Sequence, residues 1–253
     1  METKIQFLGT SDSQGVPRML CSCAVCKSTD NKRSRPSVFI HTSRKILVDA
    51  SPDFRQQFID GDLCIPDILC ITHAHNDHIA GLGDLADLCF WHESKLTIIS
   101  PPDVIDILKQ RYPYLTPKRN IFFTPLHQMD VDGVHISFHR VNHGNNGYSY
   151  GIRFSNQTSS WAYVSDVINM TTEQMVPFYH LSLLILGASY LDESNYPFQY
   201  KRSIYDVREA LLLREKLQPE KLILTHMSHN IDITKNILPE GVWFGKDGMC
   251  IML

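Results

Sequence analysis

Four side chains able to hold a metal ion crowd into six residues, His73, His75, Asp77 and His78, in the stretch ITHAHNDHIAG from Ile71 to Gly81. They follow directly on the apolar run DILC. A lone histidine is ordinarily a surface or hydrogen-bonded core residue, but H-x-H-x-D-H at the end of a strand can turn imidazole and carboxylate groups from one short loop toward a common point. Such mixed donors suit Zn²⁺, Mn²⁺ or Fe. A second donor set is CSCAVC, where Cys21, Cys23 and Cys26 form C-x-C-x-x-C, three soft ligands that lack one partner for tetrahedral zinc. Seven cysteines are an odd number in a chain of 253 residues, which is too long to depend on disulfides, so ligation explains the cluster better than bridging. The others, Cys64, Cys70, Cys89 and Cys250, lie in or beside apolar stretches and read as free buried thiols.

Converging donors need a rigid frame, and the apolar pattern supplies one. IQFLGT, SVFIHT and KILVDA read as strands, followed by a helix over SPDFRQQFI with Ser51 as N-cap and Pro52 in its first turn. Strand DILCIT precedes the histidine motif, then come a helix through GLGDLADLCFW, strand LTIIS and helix PDVIDILKQRY. NIFFTPL, HISFHRV, YSYGIRF and SSWAYVSDV are strand candidates that can pair as hairpins, ahead of the apolar LSLLILGAS. In SIYDVREALLLREKL an apolar face recurs at helical spacing, and strand KLILTH follows.

The chain is 43% hydrophobic and 20% charged with a formal net charge of -3, a balance that indicates neither disorder nor a basic nucleic-acid surface. METKIQFLGT has no basic cluster leading into a long apolar stretch, and no later run approaches the roughly 20 residues of a membrane span. The expectation is a cytoplasmic protein without membrane contact. No low-complexity tract or Gly/Ser linker divides the sequence, so the expected architecture is α/β, strand-rich sheets covered by helices, in a single domain over 1–253.

His-x-His-x-Asp-His after an apolar strand resembles the signature of the metallo-β-lactamase superfamily, whose fold is an αββα sandwich, two mixed β-sheets flanked by helices, with a dinuclear metal site along the sheet edges. Three further motifs match in order, VNHG with His143, YVSDV with Asp166 and LILTHMSH with His226, so the resemblance covers nearly the whole chain. It implies that His73, His75 and His143 hold one metal, that Asp77, His78 and His226 hold the other, and that Asp166 bridges them. Two divalent ions so placed lower the pKa of a shared water to about 7 and hold a phosphoryl oxygen as charge builds on it. The implied reaction is hydrolysis by a metal-bridging hydroxide, with Asp77 and Asp166 essential to it.

The cysteine motif, the LGTSDSQGVP before it and His229 three residues after His226 resemble one branch of the superfamily, the PhnP-like phosphodiesterases of the carbon-phosphorus lyase pathway. In that branch a Cys₃His zinc site is structural. The resemblance implies that Cys21, Cys23, Cys26 and His229 close around one zinc, tying a loop over 18–30 to the strand end that carries His226. It also implies a small cyclic or nucleotide-like phosphodiester as substrate, Zn, Mn or Fe in the active site, and a homodimer. Other readings are a cofactor-biosynthesis protein similar to PqqB, an RNA-processing nuclease of the superfamily, for which a basic track and an extra RNA-binding arm are wanting, and a non-enzymatic metal-binding protein.

Two departures from the branch stand out. Ser11 and Asp12 replace a Gly and a Thr, and no histidine occurs between His180 and His226, where the branch places the residue that protonates the leaving oxygen. Alignment on Ser203 puts Lys201 there, a cation for the phosphate or leaving alkoxide, although an ordinary pKa of about 10.4 suits a general acid poorly. Arg202 beside it reads as a fixed positive clamp or as half of a solvated Lys-Arg pair. Arg18 is a candidate contact for an anionic substrate, and Tyr190 to Tyr200 reads as a loop over the site or as surface packing. Asp53 and Arg55 also resemble family sequence, while Phe54 and Phe58 read as a packed helix face. His41, His92, His127, His135, His139 and His180 fall outside the ligand pattern.

Overall fold

The computed structural model describes residues 3–195, 201–235 and 237–253. The chain opens with β1 (Lys4–Gly9), a short α1 (Ala24–Lys27), β2 (Ser37–His41), β3 (Lys45–Val48) and α2 (Phe54–Asp60). β4 (Ile68–Cys70) leads through α3 (Asn76–Ile79) into α4 (Leu82–Trp91), and β5 (Leu96–Ser100) leads into α5 (Pro102–Arg111) and β6 (Ile121–Pro125). The second half runs β7 (Gln128–Val131), β8 (Val134–Asn142), β9 (Tyr148–Ser155), β10 (Ser160–Val164), α6 (Thr172–Met175), β11 (Leu183–Gly187), α7 (Val207–Leu217), β12 (Leu222–Thr225), β13 (Val242–Phe244) and β14 (Cys250–Met252).

Among the described residues the strands form two mixed sheets of seven, ordered β14-β1-β2-β3-β4-β5-β6 and β13-β12-β11-β10-β9-β8-β7. β3 to β6 are parallel in the first sheet, and β10 to β13 in the second. This is the expected sandwich. β7, β13 and β14 escape a reading of the sequence because they are short edge strands, and an edge strand shows little of the apolar alternation that marks its neighbours.

Side chains alternate across a strand, and the second sheet divides them between two cores. Trp161 and Tyr163 of β10, Leu183 and Ile185 of β11 and Ile223 of β12 pack in one cluster with Phe7, Phe39, Leu47 and Leu69 of the first sheet. Ala162, Val164, Leu184, Leu186, Leu222 and Leu224 point the other way, to Ala210, Leu213 and Leu217 of α7. Strands buried on both faces read as continuous apolar runs, which is why LLIL and LIL lack alternation. Each such side chain contributes about 1.5–3 kcal/mol on leaving water, so packing between the sheets fixes where the strand ends lie.

The helices are set by their caps. Asp206 accepts from the Glu209 N–H at 2.7 Å and Glu209 accepts from the Asp206 N–H at 3.1 Å, a capping box that starts α7. Ser51 does not cap α2 as expected. Its hydroxyl accepts from the Asp53 N–H at 3.1 Å and donates to Gln57 at 3.0 Å, a local turn that delays the helix to Phe54. Phe54 and Phe58 do pack, with ring centroids 4.1 Å apart. Among the described residues no helix is long and apolar enough to cross a membrane.

Candidate active site

Each metal-competent loop begins where a strand ends: His73 to His78 after β4, His143 after β8, Asp166 after β10 and His226 after β12. β8 and β10 are both antiparallel to β9, while β10 is parallel through β11 to β12. All three therefore point the same way and end at one edge of the second sheet. The Tyr150 N–H donates to the Thr72 carbonyl at 3.1 Å, which joins that edge to the β4 loop of the first sheet. Ligands of open α/β sheets generally bind beyond the carboxyl ends of strands. The chain is tightly steered here. Asp49 and His226 sit at φ 58° and 57°, a region seldom adopted by residues other than glycine. Gly187 packs so close to the strand carrying Asp166 that a Cβ would come 1.7 Å from the Ser165 carbonyl oxygen.

His73, His75 and His143 offer ring nitrogens within 4.8 Å of one another, Asp77, His78 and His226 form a second such group, and His73, His78 and Asp166 link the two. Asp77 Oδ2 lies 3.3 Å from Nε2 of both His78 and His226. Asp166 stands 3.2 Å from His78, 3.3 Å from His226 and 3.6 Å from His143. Donors about 2.0–2.1 Å from a tetrahedral ion lie about 3.4 Å apart, so these separations are those of ligands around an ion. His78 Nε2 and Asp166 Oδ2 are buried and make no hydrogen bond, a costly state for polar atoms unless something binds them. The donor set fits divalent metals.

The far side of three rings is pinned. His143 Nδ1 donates to the Ser203 carbonyl at 2.9 Å, His78 Nδ1 is 2.6 Å from Asp49 Oδ2, and His73 Nδ1 is 3.0 Å from the Thr72 hydroxyl. Such partners aim the opposite nitrogen into the site. Asp49 is wholly buried and also accepts from the Thr72 N–H at 2.9 Å. Sequence reasoning missed it, and its only signal is an acid closing the apolar run KILVD.

Charge divides the cluster. Burial holds His73, His75 and His143 below the usual histidine range, so these rings are neutral and ready to ligate. Burial also opposes charge on His78 and His226, but carboxylates overcome it. Asp77, Asp166 and Asp49 hold His78 well above its ordinary value, and Asp166 and Asp77 raise His226. Asp77 and Asp166 themselves lie below the carboxylate range despite burial, because imidazoles surround them.

In the cysteine cluster, the sulfurs of Cys21, Cys23 and Cys26 stand 3.3, 3.6 and 3.5 Å from His229 Nδ1. A tetrahedral zinc with bonds of about 2.3 Å to sulfur and 2.0–2.1 Å to nitrogen sets that separation near 3.6 Å. The Cys26 N–H donates to Cys23 Sγ at 3.4 Å and lowers its thiol to about 6, while burial raises Cys26 to about 11. The loop has other anchors as well. Arg33 donates to the Ser228 and Ile231 carbonyls at 3.0 and 3.2 Å, and Asn31 donates to Asp232 at 3.0 Å.

Other expectations fare differently. Lys201 is exposed and lines a cavity of 300 Å³ with Tyr190, Glu193, Arg202 and Ser203. The solvated Lys-Arg pair is not what forms: Arg202 is only 11% exposed and bound to Glu193 and Glu209, so it cannot serve as an anion clamp either. Cys70 and Cys89 are buried as expected, but Cys64 and Cys250 are exposed, the one in the connection after α2 and the other on edge strand β14. Arg18 Nη1 is 3.4 Å from His229 Nε2. The loop expected over 190–200 falls partly on 196–200, outside the described residues. Asp53 engages Arg35 at 2.8 Å, which leaves its carboxylate unable to cap α2. His41, His92, His127, His135, His139 and His180 join none of the donor groups found among the described residues.

Residues 44–227, well over half of the chain, match the Beta-lactamase superfamily domain. The chain belongs to the β-lactamase superfamily. The fold is that of the metallo-β-lactamases, one that goes with divalent metals. The chain is 30% identical over 263 residues to an octanoyltransferase of Porphyromonas gingivalis (strain ATCC BAA-308 / W83), a match covering 96% of this chain and 50% of that protein. A ribonuclease Z of Clostridium novyi (strain NT) is 29% identical over 136 residues, covering 51% of this chain and 39% of that protein. The chain thus spans half or less of the length of these relatives. Among solved structures, a diphosphatase from the PhnP family superposes with a TM-score of 0.88 at 27% identity, covering 100% of this chain and 98% of that one. Zn(2+)-bound PqqB from Methylobacterium extorquens shares the fold, with a TM-score of 0.78, 15% identity and 98% and 99% of the two chains covered. The expected kinship with the PhnP-like branch of the superfamily is borne out.

Proposed function

We propose that the protein is a metal-dependent phosphodiesterase acting on small cyclic or nucleotide-like phosphodiesters. The observation that carries this reading is the placement of Asp166 between two donor groups, 3.6 Å from His143 on one side and 3.2 and 3.3 Å from His78 and His226 on the other. His73, His75 and His143 would hold one divalent ion and Asp77, His78 and His226 the second. Zinc or manganese suits these ligands, and iron is also compatible. When bound, such a pair supplies a water ionised near neutral pH and neutralises charge on the phosphoryl oxygens.

The chain's own part is to hold the geometry. Thr72, Asp49 and Ser203 fix three of the rings, and burial of the ligands shields them from water on the core side. Lys201, two residues before Ser203, supplies a cation for the phosphate. Cys21, Cys23, Cys26 and His229 would hold a structural zinc, since four protein donors leave no position for substrate.

Ribonuclease Z, by its name a nuclease, acts on phosphodiesters, which supports the reaction class. A formal charge of -3 favours a small substrate over RNA. A second reading, hydrolysis of a diphosphate, has its own support: the sequence holds no histidine between His180 and His226 to protonate an alkoxide, and a phosphate leaving group, a far weaker base, needs no such acid. The diphosphatase named above points the same way. Likeness to PqqB is one of fold alone and favours no activity.

The test is turnover of bis(p-nitrophenyl) phosphate, a cyclic ribose phosphate and a dialkyl diphosphate by protein reconstituted with Mn²⁺ or Zn²⁺, with metal analysis. Asp166→Ala should reduce turnover at least about 10²–10³-fold, the scale of losing one preorganised electrostatic group. Lys201→Ala should slow turnover without changing metal content. Loaded donor groups that hydrolyse none of the three substrates would overturn the reading, and the last two substrates separate ester from anhydride.

A further inference from the structure

The ligand loops of the second sheet meet on one short segment, Arg202 to Asp206. Its Ser203 carbonyl accepts from His143 Nδ1 at 2.9 Å. Its Tyr205 N–H donates to the Val167 carbonyl at 3.1 Å, one residue past Asp166. The Tyr205 carbonyl accepts from the Ser189 N–H at 2.9 Å, and the Ser189 carbonyl accepts from the Ser228 N–H at 3.0 Å, two residues past His226. Gly144, beside His143 and at φ +58°, packs so near that a Cβ would come 2.2 Å from the Arg202 carbonyl oxygen. Ligands from three strands thus share one support.

Arg202 holds that segment in place. Its Nε donates to Glu193 at 2.7 Å, and Nη1 and Nη2 donate to the two oxygens of Glu209 at 2.9 and 2.5 Å. Asp206 is 3.7 Å away and receives the Glu193 N–H at 2.8 Å, so the acids are themselves braced. A planar guanidinium can grip Glu209 with two parallel bonds while reaching Glu193 with a third, and an ammonium cannot reproduce that fork. The carboxylates take up the guanidinium's charge, which leaves it a supporting rather than a substrate-binding role.

We propose that Arg202, clamped between Glu193 and Glu209, is a positioning residue that sets the metal-ligand geometry of His143 through the Ser203 carbonyl. The inference rests on reading His73, His75 and His143 as an ion site. Without the clamp the segment loses its fixed distance from His143, and the ring loses the acceptor that defines its tautomer and direction. Outer partners of a metal-bound histidine typically govern metal affinity 10–100-fold.

The experiment is a Co²⁺ titration of the whole chain followed by visible absorption. Thiolate charge transfer, with the ligand-field bands that grow in alongside it, reports the cysteine cluster, and ligand-field bands that grow in without charge transfer report the histidine cluster. Arg202→Met and Arg202→Lys should bind Co²⁺ at the histidine cluster about 10–100-fold more weakly, with the cysteine signal unchanged. Glu209→Gln should shift it the same way by less. In a His143→Ala background, Arg202→Met should add much less loss than it causes alone, because the part that acts through His143 is already gone. Unchanged histidine-cluster affinity in both Arg202 variants would overturn the proposal. So would equal weakening at both clusters, which marks a general contribution to folding, or full additivity with His143→Ala. Wild-type protein that takes Co²⁺ only at the cysteines would overturn the ion-site reading itself, and the proposal with it.

Discussion

His226 and His229 stand three residues apart, yet the clusters they serve are built on opposite plans. At the cysteine cluster four donors surround one point, three sulfurs lying 3.3, 3.6 and 3.5 Å from the His229 nitrogen, and a loop with a single short helix brings them there. At the histidine-aspartate cluster seven donors come from four strand ends, with only three to each group besides Asp166. The first plan would saturate an ion and the second would leave it short of ligands. A site that must admit substrate cannot be stiffened by adding donors, so its rigidity comes from behind the ligands, from Asp49, Thr72 and the Arg202 segment. The cysteine loop needs no such backing, although Arg33 and Asn31 fasten it independently of any metal.

The contrast can be broken most forcefully at Asp49. Asp49→Asn removes the carboxylate 2.6 Å from His78 and should weaken active-site metal binding about 10–100-fold while the cysteine zinc stays in place. Equal affinity by metal titration would show that the backing is dispensable. Cys23→Ser should have the converse effect. One zinc equivalent is lost, the active-site ions are kept, and the melting temperature falls by about 2–4 °C for each kcal/mol forfeited. The Arg33 and Asn31 anchors keep the loss local, so unfolding of the whole chain on this change would count against them.

The smallest effect concerns protons. Asp77 and Asp166 raise His78 and His226 above the ordinary histidine value, so in the metal-free chain these rings hold their protons to higher pH than the other three, and an ion bound there competes with protons over a higher pH range. Its affinity should already decline, as pH falls, above the ordinary histidine value of about 6.5. His73, His75 and His143, held below that value, should keep theirs until pH drops beneath about 6.5. Calorimetry in two buffers of different ionisation heat would count the protons, and equal release at both steps would erase the distinction.

The sequence makes the donors legible because each sits immediately past an apolar strand, in chain order, and strand direction then does the converging. Asp49 is illegible for the opposite reason: one acid after a strand looks like any turn residue. Its role arises only because β3 pairs in parallel with β4, Val48 opposite Cys70, which sets the two strand ends side by side. Arg202 is misread because a Lys-Arg pair at a helix start resembles a solvated surface, whereas its partners Glu193 and Glu209 come from either side along the chain and meet only when it folds back. Cys250 shows the same limit, since apolar neighbours suggest burial but an edge strand turns one face outward.

One feature shared by the two clusters bears on how the protein is made. Cys26 meets His229 across 203 residues and Asp77 meets His226 across 149. Closing such long loops costs only logarithmically more than closing short ones, so the burden falls on time rather than on stability. At about 5–20 residues per second, roughly 10–40 s separate synthesis of the cysteines from synthesis of the histidine that completes their set. During that interval the nascent chain offers thiols and imidazoles without a finished coordination shell, and selection of the correct ion is deferred until β12 and the histidines that follow it have been made.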